Sequence, residues 1–199
     1  MTSSRHIEAL PSTEEVVLAA AREAILAVGW RKTTLTDIAR RAGVSRMTVY
    51  RLWPDTQTLL AELMTREWLA MEERVLAGTG STGDAPGAVA RLAVATIREL
   101  RSDPLLQRIV ELDPELLLPY MLDRPGRSQQ HTLDRLEALI ASGIAAGTIR
   151  AGDPQTMARA LVLAGHGFAL SALTMIGSGT GVDDLDAEFE RFVRAGLTP

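Results

Sequence analysis

Cysteine is absent from this chain of 199 residues. Without cysteine the protein can form no disulfide bond, no thiolate zinc site and no cysteine nucleophile. Nothing in the composition points to an oxidising compartment, so a cytoplasmic location is expected. Aromatic residues are also scarce, at 4% of the chain, and no segment sustains an alternation of apolar and polar residues. These shortages argue against a protein built mainly from β-strands.

Histidine is nearly absent as well, since the chain has only His6, His131 and His166. None stands four residues from another, as a helical metal site or an HExxH motif would require. The sequence also lacks a nucleophile elbow, a phosphate-binding loop and a dinucleotide-binding fingerprint. We therefore expect no metal, no cofactor and no catalytic activity. The cluster of Asp183, Asp184 and Asp186 is interpreted as a helix start favoured by the helix dipole.

The net charge of −4, taken alone, argues against nucleic acid as a partner. The charge is unevenly distributed, because six basic residues and one acidic residue lie from Arg31 to Arg51 and give this stretch +5. Residues 1–51 carry +3, whereas residues 52–199 carry −7. The chain therefore joins a basic N-terminal part to an acidic remainder, and only the basic part is suited to a phosphate backbone.

Hydrophobic residues make up 46% of the chain and recur at helical spacing almost throughout, which predicts a soluble all-α protein. Ser12, followed three residues later by Glu15, predicts a capping box at the start of the first helix. Thr36 and Ser45 are interpreted as the caps of the next two helices, which are short. Glycines are concentrated in residues 78–87, where a loop is predicted.

Residues 34–53, TLTDIARRAGVSRMTVYRLW, predict a helix-turn-helix. Two such short helices cannot each bury much surface, so they must pack closely together. Ala39 is small enough for the second helix to cross nearby, Gly43 can adopt the left-handed backbone of the turn, and Val49 is expected to fill the contact. In a helix-turn-helix the second helix lies in the DNA major groove, so the motif predicts DNA binding.

Outward-facing residues of this motif supply groups that bind bases and phosphates. Arg46 can form paired bonds to guanine, and Thr48 can meet a thymine methyl group or a phosphate. Other hydroxyl groups suit phosphate oxygens. The candidate DNA-binding residues are Thr34, Thr36, Ser45, Arg46, Met47, Thr48, Tyr50 and Arg51. Alternatively, the hydroxyls are helix caps, Tyr50 is a packing residue and the arginines form a solvated face.

Residues 16–62 resemble the DNA-binding domain of TetR-type transcriptional regulators. The likeness is densest in the stretches VGW, DIARRAGVS and VYRLW, where Tyr50-x-x-Trp53 stands for the Tyr-x-x-Phe of the family. Two positions depart from the family pattern. Met47 stands where a glycine is frequent, and Thr56 stands where a phosphate-contacting lysine is common. The first departure affects how closely the helix nears the groove, and the second removes one expected anchor.

The resemblance also implies the organisation of the chain. It implies a three-helix DNA-binding head with a long linking helix, predicted at residues 11–71, and a helical effector-binding and dimerisation body, predicted at residues 84–199. The expected function is that of a homodimeric regulator, a repressor released from a palindromic DNA operator by a small-molecule effector. A helical enzyme, or a protein-interaction module that does not bind DNA, is the alternative.

The body contains two long predicted helices, at residues 128–146 and 154–176. No charge falls between Arg159 and Asp183, a stretch long enough to cross a membrane. Its polar residues and glycines, and the lack of a flanking aromatic belt, favour a helix buried in protein. By resemblance the two helices form the dimer interface, and an intramolecular core is the alternative.

An effector pocket is expected to use large, adaptable apolar side chains with a few hydrogen-bonding groups. Tyr120 and His166 are the candidate hydrogen-bond donors. The candidate lining residues are Trp68, Met71, Leu117, Tyr120, Met121, His166, Phe168 and Met175. A stripe of this kind also occurs in plain hydrophobic cores, and these residues do not specify the ligand.

Overall fold

The computed structural model describes residues 11–79 and 84–199. In these ranges the chain forms ten α-helices and no β-strand, which confirms the predicted all-α class. The helices are α1 (Thr13–Val28), α2 (Leu35–Ala42), α3 (Arg46–Leu52), α4 (Thr56–Gly78), α5 (Ala85–Ser102), α6 (Pro104–Leu112), α7 (Leu118–Leu122), α8 (Arg127–Ala145), α9 (Pro154–Ser171) and α10 (Val182–Leu197). Short 3-10 helices cover Pro114–Leu116 and Ala172–Met175. His6 and part of the predicted glycine-rich loop, residues 80–83, lie outside the described residues.

The chain divides into two compact units. The first unit ends at Met64 and also includes Arg108–Pro114, and the second unit comprises Thr65–Gln107 and Glu115–Pro199. Helices α4 and α6 therefore each contribute residues to both units. The predicted boundaries at residues 71 and 84 do not anticipate that the end of α6 belongs to the first unit.

The first unit is built around a core shared by α1, α2, α3 and α4. Ala39 and Val49, the residues expected to meet between α2 and α3, are 1% and 0% exposed. Trp53 is also buried, and its indole Nε1 donates to Glu62 Oε2 at 2.9 Å. Removing these apolar side chains from water is the main stabilising contribution to so small a unit.

Local capping residues set where the helices of the first unit begin. Ser12 and Glu15 form the predicted capping box, with Ser12 N–H donating to Glu15 Oε2 at 2.6 Å. Ser45 caps α3 as predicted, because its Oγ accepts the Thr48 N–H at 3.1 Å. The prediction that Thr36 caps α2 is wrong. Thr34 is the cap, with Oγ1 accepting the Asp37 N–H at 3.2 Å, because its extended backbone precedes a helix that starts two residues earlier than predicted.

The end of α6 holds the turn after α1 within the first unit. The Asp113 side chain, 4% exposed, accepts the Trp30 N–H at 2.9 Å and lies 3.5 Å from Arg31 Nε. Gly29 has a φ of +82°, and a Cβ there would lie 2.8 Å from Leu112 Cδ1. A side chain at this position would be strained by both the backbone and the neighbouring helix. The turn therefore depends on glycine and on one buried carboxylate.

The second unit has a hydrophobic core among α5, α8, α9 and α10. Its largest fully buried side chains are Phe189 and Ile140, and Phe189 packs against Phe168 with ring centroids 4.2 Å apart. Gly143 of α8 packs on Ile149, where a Cβ would approach Ile149 Cδ1 to 2.5 Å. The turn after α8 therefore packs closely on the helix, because glycine leaves room for a branched side chain.

Asp186 is buried and ion-paired, which corrects its interpretation as part of a helix-start cluster. Asp183 and Asp184 do lie in the first turn of α10, but Asp186 is 1% exposed. Its carboxylate accepts from Arg98 Nε at 2.8 Å and from Arg101 Nη2 at 2.6 Å. This hydrogen bonding raises the pKa of Arg98. Asp186 thus joins α10 to α5.

Helix α9 is apolar, and one chain leaves most of it uncovered. With the following 3-10 turn it is 22 residues long, and its most apolar window of 18 residues has a mean hydropathy of 1.3, so by length and composition alone it is able to span a membrane. Only 17% of its most apolar window is buried within the single chain, so an intramolecular core, the alternative to a dimer interface, does not account for this helix. Leu163 is 73% exposed on this helix.

Candidate nucleic-acid interface and ligand cavity

The turn between α2 and α3 has the geometry that the helix-turn-helix prediction requires. Gly43 has a φ of +66° and a ψ of 24°, in the left-handed region. The Val44 N–H donates to the Ala39 carbonyl at 3.1 Å, which closes the end of α2. The short α3 then packs against α2 through Val49 and leaves its opposite face in solvent.

Replacing Gly43 by alanine should lower the free energy of unfolding by about 1 kcal/mol, because an L-residue is strained in the left-handed region. A Cβ at this position would meet no described atom within 4 Å, so the backbone conformation alone should cause the loss. Urea denaturation of the two proteins would measure it. Gly196→Ala, at an equally open position inside α10, is the control and should leave stability unchanged or slightly higher. Equal effects at both positions would contradict the argument.

Acidic residues of the first unit neutralise its basic cluster only in part. The basic cluster comprises Arg31, Lys32, Arg40, Arg41, Arg46 and Arg51. Arg41 Nε donates to Asp37 at 2.7 Å, and Arg41 and then Arg40 lower the pKa of this carboxyl by hydrogen bonding to it. Among the described residues, no ion-pair partner lies near Lys32, Arg46 or Arg51. The cations that remain available therefore lie on α3 and just before α2.

The structure exposes most of the predicted DNA-binding residues. Arg46 and Arg51 lie in solvent, and Met47 and Tyr50 are 77% and 49% exposed. The hydroxyl residues are more constrained. Ser45 and Thr34 serve as caps, Thr48 Oγ1 lies 2.8 Å from Ser45 Oγ, and Thr36 is half-buried inside α2.

A cavity of about 580 Å³ lies within the second unit. Helices α4, α5, α8 and α9 supply its mostly aliphatic wall. Its polar side chains include Glu72 of α4, Gln129 and Arg135 of α8, and His166 of α9. Its volume is that of a site for a small organic molecule.

Three of the eight predicted pocket residues line this cavity: Trp68, Met71 and His166. Met121 and Met175 are instead 47% and 67% exposed, and Leu117 is half-buried away from the lining. Phe168 packs against Phe189. Tyr120 lies in α7, and its side chain is outside the described part of the structure.

The sequence-based list missed the contributions of α5 and α8 to the cavity. On α8, Gln129, Thr132 and Leu136 all line it. They recur at helical spacing, which places them on one face, and that periodicity was the available signal. In the described residues, no group of three or more acidic or histidine side chains is placed to hold a metal ion.

Comparison with known proteins places this fold among bacterial regulators. The family model described as bacterial regulatory proteins, tetR family, matches residues 17–63. An uncharacterised HTH-type transcriptional regulator of Mycobacterium bovis is 36% identical over 147 residues, which cover 74% of this chain and 75% of that protein. A regulator of the same description from Mycobacterium tuberculosis is 35% identical over the same coverage.

Solved structures with a similar fold have lower sequence identity. The transcriptional regulator FadR from Bacillus subtilis, solved in complex with stearoyl-CoA, is similar with a TM-score of 0.67 and 18% identity, over 91% of this chain and 97% of that one. A putative transcriptional regulator from Saccharomonospora viridis in complex with choline has a TM-score of 0.65 and 20% identity, over 94% of this chain and 97% of that one. The family match, the identity of the mycobacterial relatives and the observed helix-turn-helix agree: the chain belongs to the TetR family of bacterial transcriptional regulators.

Proposed function

We propose that this protein is a homodimeric repressor that binds a palindromic DNA operator through α3 and releases it when a small molecule occupies the cavity. One observation carries the DNA-binding part of the proposal. The exposed face of α3 presents Arg46 and Arg51 without ion-pair partners among the described residues, on a helix held firmly by the buried Val49. Uncompensated guanidinium groups on a rigid helix suit DNA phosphates and guanine edges.

The proposed roles of these residues follow from their position on α3. Arg46, in the first turn, contacts a base edge, since the N-terminal residues of a recognition helix reach furthest into the groove. Tyr50 and Arg51 contact phosphate oxygens, and Met47 offers an apolar surface to a thymine methyl group. The hydroxyl groups of Thr34, Thr36, Ser45 and Thr48 donate to phosphate oxygens, and in Thr34 and Ser45 the same oxygen also accepts the backbone N–H that it caps.

The homodimer in this proposal uses α8 and α9. Exposed apolar or small residues, among them Ala160, Leu163 and Gly167, follow one face of α9 at helical spacing, and no charge interrupts them from residue 160 to residue 182. A second copy is the partner that covers such a face in a family that binds two-fold operators. The two recognition helices would then lie about one DNA turn, roughly 34 Å, apart.

Replacing Gly167 by arginine should weaken the dimer on the order of a hundredfold, because it places a charge on each side of an apolar, two-fold contact. A Cβ at Gly167 meets no described atom within 4 Å, so the single chain should still fold. Sedimentation velocity over a range of concentrations would measure the shift to monomer. Gly196→Arg on α10 adds the same side chain at an equally open position and should leave the dimer intact. A Gly167→Arg protein that remained dimeric at all concentrations would place the interface elsewhere.

The effector part of the proposal rests on the cavity and on the course of α4. This helix supplies Leu59 and Leu63 to the core of the first unit and Trp68 and Met71 to the cavity wall of the second. A ligand that fits one position of α4 better than another would shift the equilibrium between them, and it can do so only by the difference in its affinity. The stearoyl-CoA and choline complexes of two proteins with this fold support a ligand-binding role for it. We further propose that the protein acts in the cytoplasm and carries out no catalysis.

Recovery of bound genomic DNA fragments by the purified protein would test the proposed function. We expect a small set of fragments that share an inverted repeat, because a two-fold protein selects a two-fold site. Recovery of no sequence above background, at an ionic strength low enough to retain phosphate contacts, would contradict the proposal.

A further inference from the structure

Two residues of the cavity wall form a hydrogen bond whose donor follows from geometry. The backbone N–H of Gly126 donates to Gln129 Oε1 at 2.7 Å, which identifies the amide oxygen. The amide nitrogen of Gln129 is therefore the atom that lies 3.1 Å from His166 Nε2. Because an amide NH₂ group only donates, His166 Nε2 must accept. The imidazole is neutral, and its proton is on Nδ1.

The surroundings of His166 favour the same state. Burial lowers the pKa of this histidine. A protonated ring would also carry a hydrogen on Nε2, so that two N–H donors, one from His166 and one from Gln129, would face each other. Among the described residues none accepts a hydrogen bond from His166 Nδ1. Nδ1–H is thus a donor without a protein acceptor, on a side chain that lines the cavity.

The two threonine hydroxyls of the wall are engaged within their own helices. Thr96 Oγ1 donates to the Leu92 carbonyl at 2.8 Å, and Thr132 Oγ1 donates to the Ser128 carbonyl at 3.2 Å. Both bonds run from a residue to the carbonyl four positions earlier, so the hydroxyl protons point away from a ligand. Trp68 Nε1 is buried without a hydrogen-bond partner among the described residues, so it is a second candidate donor in the wall besides His166.

The charged residues of the wall compensate each other. Arg135 Nη1 lies 3.9 Å from Glu72 Oε2 and 3.0 Å from Glu73 Oε1, and His131 Nε2 lies 3.5 Å from Glu72 Oε2. The remaining wall is largely aliphatic and offers no counter-charge. A charged ligand would lose its hydration and gain no unengaged partner, which is unfavourable.

We infer that the cavity binds an uncharged, mainly apolar molecule that carries a hydrogen-bond acceptor such as an ester or ketone carbonyl, with His166 Nδ1–H as the donor. This inference rests on the proposed ligand-responsive function and narrows its ligand class. The cavity volume of about 580 Å³ lies within the range of sites for such molecules.

Four probes with similar chains and different head groups test the inference: methyl decanoate, undecane, decanoate and decyltrimethylammonium. Each would be titrated into the full-length protein below its own aggregation concentration, with tryptophan fluorescence as the readout, since Trp68 lines the cavity. We expect methyl decanoate to bind roughly two- to tenfold more tightly than undecane, which is the contribution of one neutral hydrogen bond. Both ions should bind more weakly than the ester.

Variants of His166 test whether its N–H group causes the preference for the ester over the hydrocarbon. His166→Phe should bind the ester and the hydrocarbon equally, because it retains the bulk and loses the N–H group. His166→Gln, which retains both donor and acceptor groups, should keep most of the preference. Phe192→Gln, at an exposed aromatic residue of α10 outside the lining, should behave as the parent protein.

Tightest binding of either ion, equal binding of ester and hydrocarbon by the parent protein, or no binding of any probe would overturn the inference. So would an unchanged ester preference in His166→Phe. These titrations contain no DNA, so their outcome is independent of operator binding. A protein that prefers the ester but binds no DNA would refute the proposed regulator and leave the cavity assignment intact.

Discussion

The Asp186→Ala protein should unfold with a free energy of unfolding about 3–5 kcal/mol below that of the parent protein, the cost of leaving a buried charge without its partner. Asp186 is 1% exposed and accepts hydrogen bonds from both Arg98 and Arg101. The Arg101 side chain is only 10% exposed, so water cannot replace the missing carboxylate. Urea denaturation monitored by circular dichroism would measure the difference.

Asp183 provides the matched control for this substitution. Asp183 lies on the same helix as Asp186, and its side chain is 91% exposed. It lies 3.6 Å from Arg98 and forms a surface ion pair with it. Asp183→Ala should cost less than about 1 kcal/mol. If the two alanine variants lost similar stability, the buried cluster would not hold α10 to α5 as described.

Replacing Arg46 by alanine should weaken binding to the operator by about 1–3 kcal/mol and relax the preference at one base position. The reason is that Arg46 is exposed in the first turn of α3 and has no ion-pair partner among the described residues. Fluorescence anisotropy with the recovered operator and with a scrambled duplex of equal length would separate affinity from specificity. The loss should be larger on the operator.

Two further variants are the comparisons for Arg46→Ala, one at a proposed phosphate contact and one away from the DNA-binding surface. Arg51→Ala, at a proposed phosphate contact, should weaken both duplexes equally and reduce the salt slope by about 1. Arg191→Ala removes the same charge from an exposed surface ion pair on α10 and should change neither affinity. An Arg46→Ala protein with the affinities of Arg191→Ala would show that Arg46 does not contact DNA.

Local features of the first unit were predictable because local geometry determines them. Gly43 adopts the left-handed backbone that the turn requires, and Ser12 and Ser45 cap the helices that follow them. Each depends on atoms no more than a few residues apart. The cap of α2 was misplaced from Thr34 to Thr36 because both are threonines at the same boundary, and only the backbone distinguishes them.

Long-range contacts were not predictable from sequence patterns. Asp186 sits in an acidic run that is typical of a helix start, and its partners lie 85 and 88 residues away. Asp113, which accepts from the Trp30 N–H, is likewise 83 residues from its donor. The cavity raises the same difficulty, since four separate helices form its wall and periodicity does not say which faces meet. Phe168 therefore proved to pack on Phe189 rather than line the cavity.

The net charge of the chain conceals the feature most relevant to its function. The acidic remainder outweighs the basic cluster in the sum, yet the cluster keeps Lys32, Arg46 and Arg51 free of ion-pair partners among the described residues. An acidic surface repels DNA, so this distribution favours docking through the first unit alone.

The salt dependence of operator binding tests the central claim most directly. Anisotropy titrations between about 50 and 200 mM salt should show the logarithm of the affinity falling linearly with the logarithm of salt concentration, with a slope that Arg51→Ala reduces and Arg191→Ala leaves unchanged. Absence of salt-dependent binding to any duplex from the recovered fragments would contradict the assignment of α3 as a DNA-reading helix.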